Sequence, residues 1–353
     1  MRAARYHGTG DIRVEEVPRR SIQPDEVRID VAACGICGSD LKEYVDGPSA
    51  TPTDPHPLTG DTLPVTMGHE IGGTLVDVGS EVGTLEPGTN VAVSPVRWCG
   101  ECRRCSTGNY HLCEDKGWVG FSGDGGGFAD EVIVSREKAI PLPAGVPAEM
   151  GALAEPFTVG LHAIHRSAFD TGDVAAVFGC GPIGLTVIQN LRAAGAQRIY
   201  ASEPQEQRRT VAEGCGADVV IDPFDEDPVD RILADSDGVD VAFEVAGTEA
   251  SLNQAISSTK PTGDTTVVSI FDGAASIRPG QLVSGERTIR GTASRLSGPR
   301  SLEEFDAVVS QFERDNLDPA SLVTSRIALD DVESGFQQLL QDDVSEMKIL
   351  VKP

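Results

Sequence analysis

Gly179-Cys180-Gly181-Pro182-Ile183-Gly184 lies between a short apolar run, Ala175-Ala176-Val177-Phe178, and a stretch of helical pattern reaching Leu191. Strand, glycine-rich turn and helix in that order open a βαβ unit, which few other folds can accommodate. The first glycine permits the tight turn, the second lets the backbone approach a pyrophosphate, and the third allows the helix to pack closely on the strand. The helix N-terminus then favours the phosphate charge. The alternation continues. Arg198-Ile199-Tyr200-Ala201 reads as a strand and Gln205 to Cys215 as a helix, with further strands at Val219-Val220-Ile221, Val239 to Phe243 and Thr266 to Ile270. This pattern predicts a parallel, doubly wound sheet. Glu203 ends the second strand, where a carboxylate can bind both ribose hydroxyls of an adenosine and repel an added phosphate, which favours NAD over NADP. The plainer alternative for Glu203 is a solvated loop carboxylate. Arg208 either stacks on or pairs with the adenosine half, or is a helix-surface arginine.

The residues before about 173 read differently. Val27 to Val31, Gly72 to Val78 and Val91 to Val93 are expected strands, with Pro87-Gly88 as a turn. Cys99, Cys102, Cys105 and Cys113 fall within one short stretch. That spacing lets four thiolates converge on one tetrahedral zinc ion at about 2.3 Å. Gly100 and Gly108 relax the backbone where the knuckle turns. A pair of disulfides is the alternative, but nothing else in the chain suggests an oxidising compartment. A second metal signature is more dispersed: Cys37 in Gly35-Ile36-Cys37-Gly38-Ser39-Asp40, and His69-Glu70. Cysteine, histidine and carboxylate make three zinc ligands and leave one position open for water or substrate. Taken singly, Cys37 is a small buried hydrophobe and His69 a core histidine; the nucleotide motif and the cysteine cluster give them weight. The tail reads as a helix (Leu302 to Phe312), a strand-like Leu322-Val323-Thr324, another helix and a closing Lys348-Ile349-Leu350-Val351 strand.

With 353 residues the chain suits two domains. Its 55 acidic against 29 basic residues give a formal net charge of −26, a field that repels nucleic acid and anionic membrane. The lysines are Lys42, Lys116, Lys138, Lys260, Lys348 and Lys352. An acidic, lysine-poor surface favours a salt-adapted source over an acidic protein in ordinary salt. The opening Met1-Arg2-Ala3-Ala4-Arg5-Tyr6-His7 lacks an apolar signal core, and no long uncharged apolar run follows, so a soluble, cytoplasmic protein is expected.

In this order and over essentially the whole chain, these motifs resemble the zinc-containing medium-chain alcohol and polyol dehydrogenases. The resemblance implies an α/β protein with a GroES-like, β-rich catalytic domain (1–153 and 296–353) carrying a structural-zinc lobe near 95–115. A Rossmann NAD-binding domain (154–295) is implied between the two parts. It implies two zinc ions per chain. Cys37 and His69 would hold the catalytic one, with Glu155 or Glu70 as third ligand, and Cys99, Cys102, Cys105 and Cys113 the structural one. Ser39 matches the hydroxyl that receives the substrate proton, and Asp40 a carboxylate that steadies the site. The cofactor would lie on Gly179, Gly181, Pro182, Ile183, Gly184, Glu203 and Arg208. Within the family, His56-Pro57-Leu58-Thr59-Gly60, Gly123 to Phe128 and Val177 to Pro182 most resemble the 2,3-butanediol dehydrogenases. This branch implies hydride transfer between a vicinal diol or acyloin and NAD. A longer polyol, a sugar or threonine is the second reading. A catalytically silent binding or structural protein is the third, against which intact Cys37, His69, Ser39 and Gly179 argue. Lys42 stands where many relatives have a proton-relaying histidine, and lysine is a poorer relay near pH 7. Thr89-Asn90 replaces a common acidic–basic pair, and no function attaches to it. Family habit implies a homodimer or homotetramer.

Overall fold

The computed structural model describes residues 1–123, 125–341 and 346–353. Of the Gly123 to Phe128 segment, Asp124 therefore lies outside the described residues. The chain divides into two compact units. One comprises Met1–Glu155, Leu296–Arg314 and Val323–Pro353; the other comprises Pro156–Arg295 and Asp315–Leu322. The division expected at 153/154 thus falls two residues later, and the short segment Asp315–Leu322 belongs with the second unit rather than the first.

The first unit is β-rich. Its largest sheet runs Ala139–Pro141, Asn90–Val93, Glu70–Val78, Glu26–Gly35, Lys348–Lys352, Val323–Ala328, with Glu131–Ser135 also paired to Glu26–Gly35. A three-stranded sheet (Asp11–Glu16, Arg2–Gly8, Val65–Thr66) shares one core with it, including Tyr6, Ile29, Ile71, Phe128 and Phe336. Small residues set the approach of neighbouring elements. A Cβ on Gly72 would stand 2.3 Å from Ala148 O and 2.5 Å from Ala152 N, so the start of helix Gly151–Arg166 packs directly on strand Glu70–Val78. The closing strand enters beside Glu26–Gly35, with Leu350 opposite Gly35.

The second unit is the predicted doubly wound sheet. Its strands run Val219–Ile221, Arg198–Ser202, Val174–Phe178, Val239–Glu244, Thr259–Val267, Thr288–Gly291, and every neighbouring pair is parallel. The strand order reverses between Val174–Phe178 and Val239–Glu244, which is where such sheets bind ligands. One expected strand is misplaced. Thr266 to Ile270 reads as β from its apolar residues, but the strand is Thr259–Val267 and Ile270 is 69% exposed. The ladder itself uses buried Thr259, Asp264, Thr265 and Thr266, the last three of which pair with strands on both sides. Backbone satisfaction there outweighed hydropathy.

Helix Gly38–Asp46 carries three of the expected site residues, and Glu43 anchors it. Glu43 is buried and accepts from Ser49 N–H (3.0 Å), Ser49 Oγ (2.8 Å), Ala50 N–H (2.9 Å) and Thr51 N–H (2.8 Å). Burial opposes its ionisation, but these donors outweigh burial and hold its pKa below the usual glutamate value. Its contribution to stability is therefore present above the ordinary glutamate range and disappears as pH falls through the lowered value. Glu43→Gln is expected to flatten the acid limb of a stability–pH curve measured by denaturant titration. An unchanged acid limb would remove Glu43 from this role.

Candidate active site

Cys37 follows strand Glu26–Gly35 and forms the N-cap of helix Gly38–Asp46. Its N–H donates to Asp40 Oδ2 at 2.9 Å, so Asp40 satisfies an orphan donor of the helix start. The other Asp40 oxygen lies 3.2 Å from His69 Nδ1, a close contact whose angle is not that of a hydrogen bond, since both atoms are buried without one. His69 reaches this position after Gly68, which has φ +97° and no room for a Cβ: one would stand 2.7 Å from Cys34 Sγ and 2.8 Å from Phe128 N. The Asp40 carboxylate thus lies against the Nδ1 side of the ring, with Nε2 on the side of Ser39 and Glu155. Ser39 Oγ lies 3.4 Å from that Nε2, and Glu155 Oε1 lies 4.0 Å from it. Phe121 stacks on the imidazole with ring centroids 5.0 Å apart, giving the site an apolar wall.

Ligand atoms of Cys37, His69 and Glu70 lie within 4.8 Å of one another. Burial pulls the His69 pKa down, yet Asp40 and the Cys37 sulfur outweigh it and push the pKa up to about 10. The pocket favours positive charge at its centre, as a cation-binding donor set should. Thiol, imidazole and carboxylate are zinc ligands, and the residues fit that ion.

Glu70 is not a bare carboxylate. Lys348 Nζ donates to its two oxygens at 2.7 and 2.8 Å and to Ile36 O at 3.0 Å. Lys348 is 2% exposed, and its ammonium is held above the ordinary lysine value: burial lowers it, but Glu70 more than compensates. Gly35, opposite Glu70 in the ladder, makes space for this pair; a Cβ there would come within 2.0 Å of Glu70 Oε2. Lys348 and Phe121 escaped the sequence reading. Lysine within a closing strand of apolar residues was the available signal for the first, and the second had none.

The four-cysteine lobe is equally explicit. Sulfur separations are 3.5 Å (Cys99–Cys113) and 4.0 Å (Cys99–Cys105 and Cys102–Cys113). A zinc tetrathiolate with bonds of about 2.3 Å has edges near 3.8 Å. All four cysteines are free, so the disulfide alternative is not what the fold forms. Hydrogen bonds from the backbone at Glu114 and Cys105 draw Cys102 down to about 6, while burial sends Cys105 up to about 12.

In the second unit each glycine of the turn has its own constraint. Gly179 has φ +101°, and a Cβ at Gly184 would meet Gly179 O at 1.9 Å. A Cβ at Gly181 would meet only Arg208 Nη1, at 4.0 Å, so the protein itself does not demand glycine there. A ligand approaching the backbone would demand it. Pro182 opens helix Pro182–Ala193, with Ile183 and Gly184 in its first turn. Glu203 is buried, accepting from Cys180 N–H at 2.8 Å and Gln205 N–H at 3.1 Å. It is therefore no solvated loop carboxylate. Arg208 is half-buried and aims its guanidinium at the turn. Lys42, 38% exposed, pairs with Asp46 at 3.2 Å.

Residues 23–144 match the alcohol dehydrogenase GroES-like domain, and 182–313 match the zinc-binding dehydrogenase domain. The chain is 45% identical to (R,R)-butanediol dehydrogenase of Bacillus subtilis, over 100% of both chains. The crystal structure of 2R,3R-butanediol dehydrogenase from Bacillus subtilis superposes with a TM-score of 0.92 at 44% identity, covering 100% of this chain and 99% of that one. A zinc-binding dehydrogenase from Sinorhizobium meliloti, bound to NADP, gives 0.89 at 30% identity with coverage of 100% and 99%.

Removing one partner of a buried ion pair leaves the other charge uncompensated. Lys348→Met should cost about 3–5 kcal/mol of stability, and adding Glu70→Gln should recover most of it. Thermal and denaturant unfolding of the double-mutant cycle checks this; additive losses would contradict the pairing.

Proposed function

The chain belongs to the zinc-containing medium-chain alcohol dehydrogenase family and is an oxidoreductase; from that premise we propose that it moves a hydride between a vicinal diol or acyloin, such as 2,3-butanediol and acetoin, and NAD. The convergence of Cys37, His69 and buried carboxylates on one pocket carries the reading. Full-length identity to a butanediol enzyme supports the substrate class and disfavours the sugar and threonine alternative.

Cys37, His69 and Glu155 would hold the catalytic zinc, because Glu70 already has a lysine on both oxygens. Cys99, Cys102, Cys105 and Cys113 would hold the structural ion. When bound, zinc supplies a Lewis acid for the alcohol oxygen, and NAD supplies the hydride acceptor. Asp40 fixes the imidazole of His69. Ser39 Oγ, beside His69 Nε2, takes the substrate's hydroxyl proton. Lys42 pairs with Asp46, and water carries the released proton onward. Phe121 excludes solvent from the imidazole face. Gly179, Gly181, Pro182, Ile183 and Gly184 receive the pyrophosphate, Glu203 the adenosine ribose, and Arg208 the charge at the turn. The acidic surface supports work in concentrated salt, and no described helix is long and apolar enough to cross a membrane. Family habit supports a homodimer or homotetramer.

Purified enzyme should reduce NAD with 2,3-butanediol and use NADP poorly, and Ser39→Ala should lower turnover on the order of 10²-fold. Absence of NADH formation across a panel of diol stereoisomers would refute the substrate class. Metal analysis should find two zinc ions per chain. Cys37→Ser and Glu155→Gln should each remove one and abolish turnover, while Glu70→Gln keeps both. A Glu155→Gln enzyme with full zinc and activity would hand the third ligand to Glu70.

A further inference from the structure

Glu244 closes strand Val239–Glu244 and is fully buried. Its Oε1 accepts from Ala246 N–H at 2.9 Å, Gly247 N–H at 2.7 Å and Ser251 Oγ at 2.8 Å. Its Oε2 accepts from the Ser269 hydroxyl. Its own carbonyl accepts from Val268 N–H at 2.9 Å. A carboxylate is acceptor-only with room for about four donors, which matches this set. One side chain therefore ties its own loop to the first turn of helix Glu249–Ser258 and to the residues after strand Thr259–Val267.

That loop borders the nucleotide turn. Glu244 is opposite Phe178 in the parallel ladder, and Phe178 immediately precedes Gly179. A Cβ on Gly179 would meet Ala246 N at 2.9 Å and Ala246 Cβ at 3.0 Å. On the other side, Gly247 has φ +75°, and a Cβ there would stand 3.0 Å from Ile270 O. The backbone from Val245 to Gly247 is thus confined between the glycine turn and the next strand's end.

The strand order supplies the direction. Arg198–Ser202, followed by Glu203, lies on one side of Val174–Phe178, and Val239–Glu244 lies on the other. A dinucleotide with its adenosine ribose at Glu203 and its pyrophosphate on the turn extends its second nucleotide across the switch point, toward Glu244. We infer that Glu244 is a positioning residue for the nicotinamide half of the cofactor, acting by fixing the Val245–Gly247 backbone on which that half rests. This rests on the NAD reading above. The carboxylate touches no reacting atom; it sets the floor.

The test compares NADH with AMP, which carries the adenosine half alone, on zinc-loaded full-length enzyme. Wild type should bind both; binding of neither would overturn the NAD reading and this inference with it. Glu244→Gln keeps the shape but replaces an acceptor by a donor. It should weaken NADH by about tenfold, the loss of roughly one well-made hydrogen bond, and leave the AMP Kd unchanged. KM for NAD should rise with little change in KM for the diol. Ser269→Ala, which touches Oε2 alone, should give the same pattern at smaller amplitude and serves if Glu244→Gln folds poorly. Equal weakening of NADH and AMP, or no change in either, would overturn the assignment while leaving the NAD reading intact.

Discussion

A lysine ammonium and a carboxylate, both removed from water inside a β-sheet, are the constraint on which the first unit depends. Taking either charge into the interior alone costs several kcal/mol, and attraction recovers this only with close, well-satisfied geometry. Lys348 meets Glu70 at 2.7 and 2.8 Å, and its third donor reaches Ile36 O. The pair joins the closing strand to the residue after His69. Gly35 is part of the same device, since any side chain there would occupy the carboxylate's place. The end of the chain is thereby fixed to the neighbourhood of Cys37 and His69, and the ladder Leu350↔Gly35↔Glu70 transmits that registration.

Charge in the pocket is partitioned by this pairing. Glu70 is neutralised by Lys348, whereas Cys37, Asp40 and Glu155 gather around His69. The same anionic surroundings that drive the imidazole up to about 10 would stabilise a divalent ion in its place. A donor set with three anionic groups and one imidazole would close the site if all bound at once. Under the proposed ligand set, a carboxylate held on a lysine would leave a coordination position open, as a catalytic zinc site needs.

The features legible in the sequence are those whose physics is local. Cysteine spacing sets sulfur separations within one loop, and the glycines act over six residues, so the sulfur cluster, the turn at Gly179 and the close approach at Gly184 all appear in the structure. Asp40 was legible only through the family resemblance, and its capping of the helix start emerges from the structure. Lys348 was not, because its partner is 278 residues away, and a lysine among the apolar residues of the closing strand hints at burial without naming that partner. Phe121 likewise acquires meaning only through packing on His69. The strand at Thr259–Val267 was misplaced because hydropathy ranks Val267 to Ile270 above a run of threonines. Interior parallel pairing rewards any backbone that satisfies both neighbours, and β-branched threonine fits that surface. The paired carboxylates Glu70 and Glu155 could not be ranked from sequence, since the ranking depends on which one the lysine reaches.

At the carboxyl edge of the parallel sheet, buried carboxylates organise the backbone as well as any ligand. Glu203 accepts from Cys180 N–H and Gln205 N–H before any ribose arrives. Under the proposed NAD reading, any discrimination between cofactors at Glu203 would be entangled with the shape of the glycine turn. Replacing it by a neutral residue relieves repulsion of a 2′-phosphate but also frees the N–H of Cys180, the residue between Gly179 and Gly181. The two consequences oppose each other: one admits NADP, the other loosens the pyrophosphate cradle that both cofactors need. Glutamine keeps an acceptor for one of the two N–H donors and so separates the effects better than alanine does. The acidic residue at this edge is thus a structural member first, and any selectivity it confers would follow from where the turn requires it to stand.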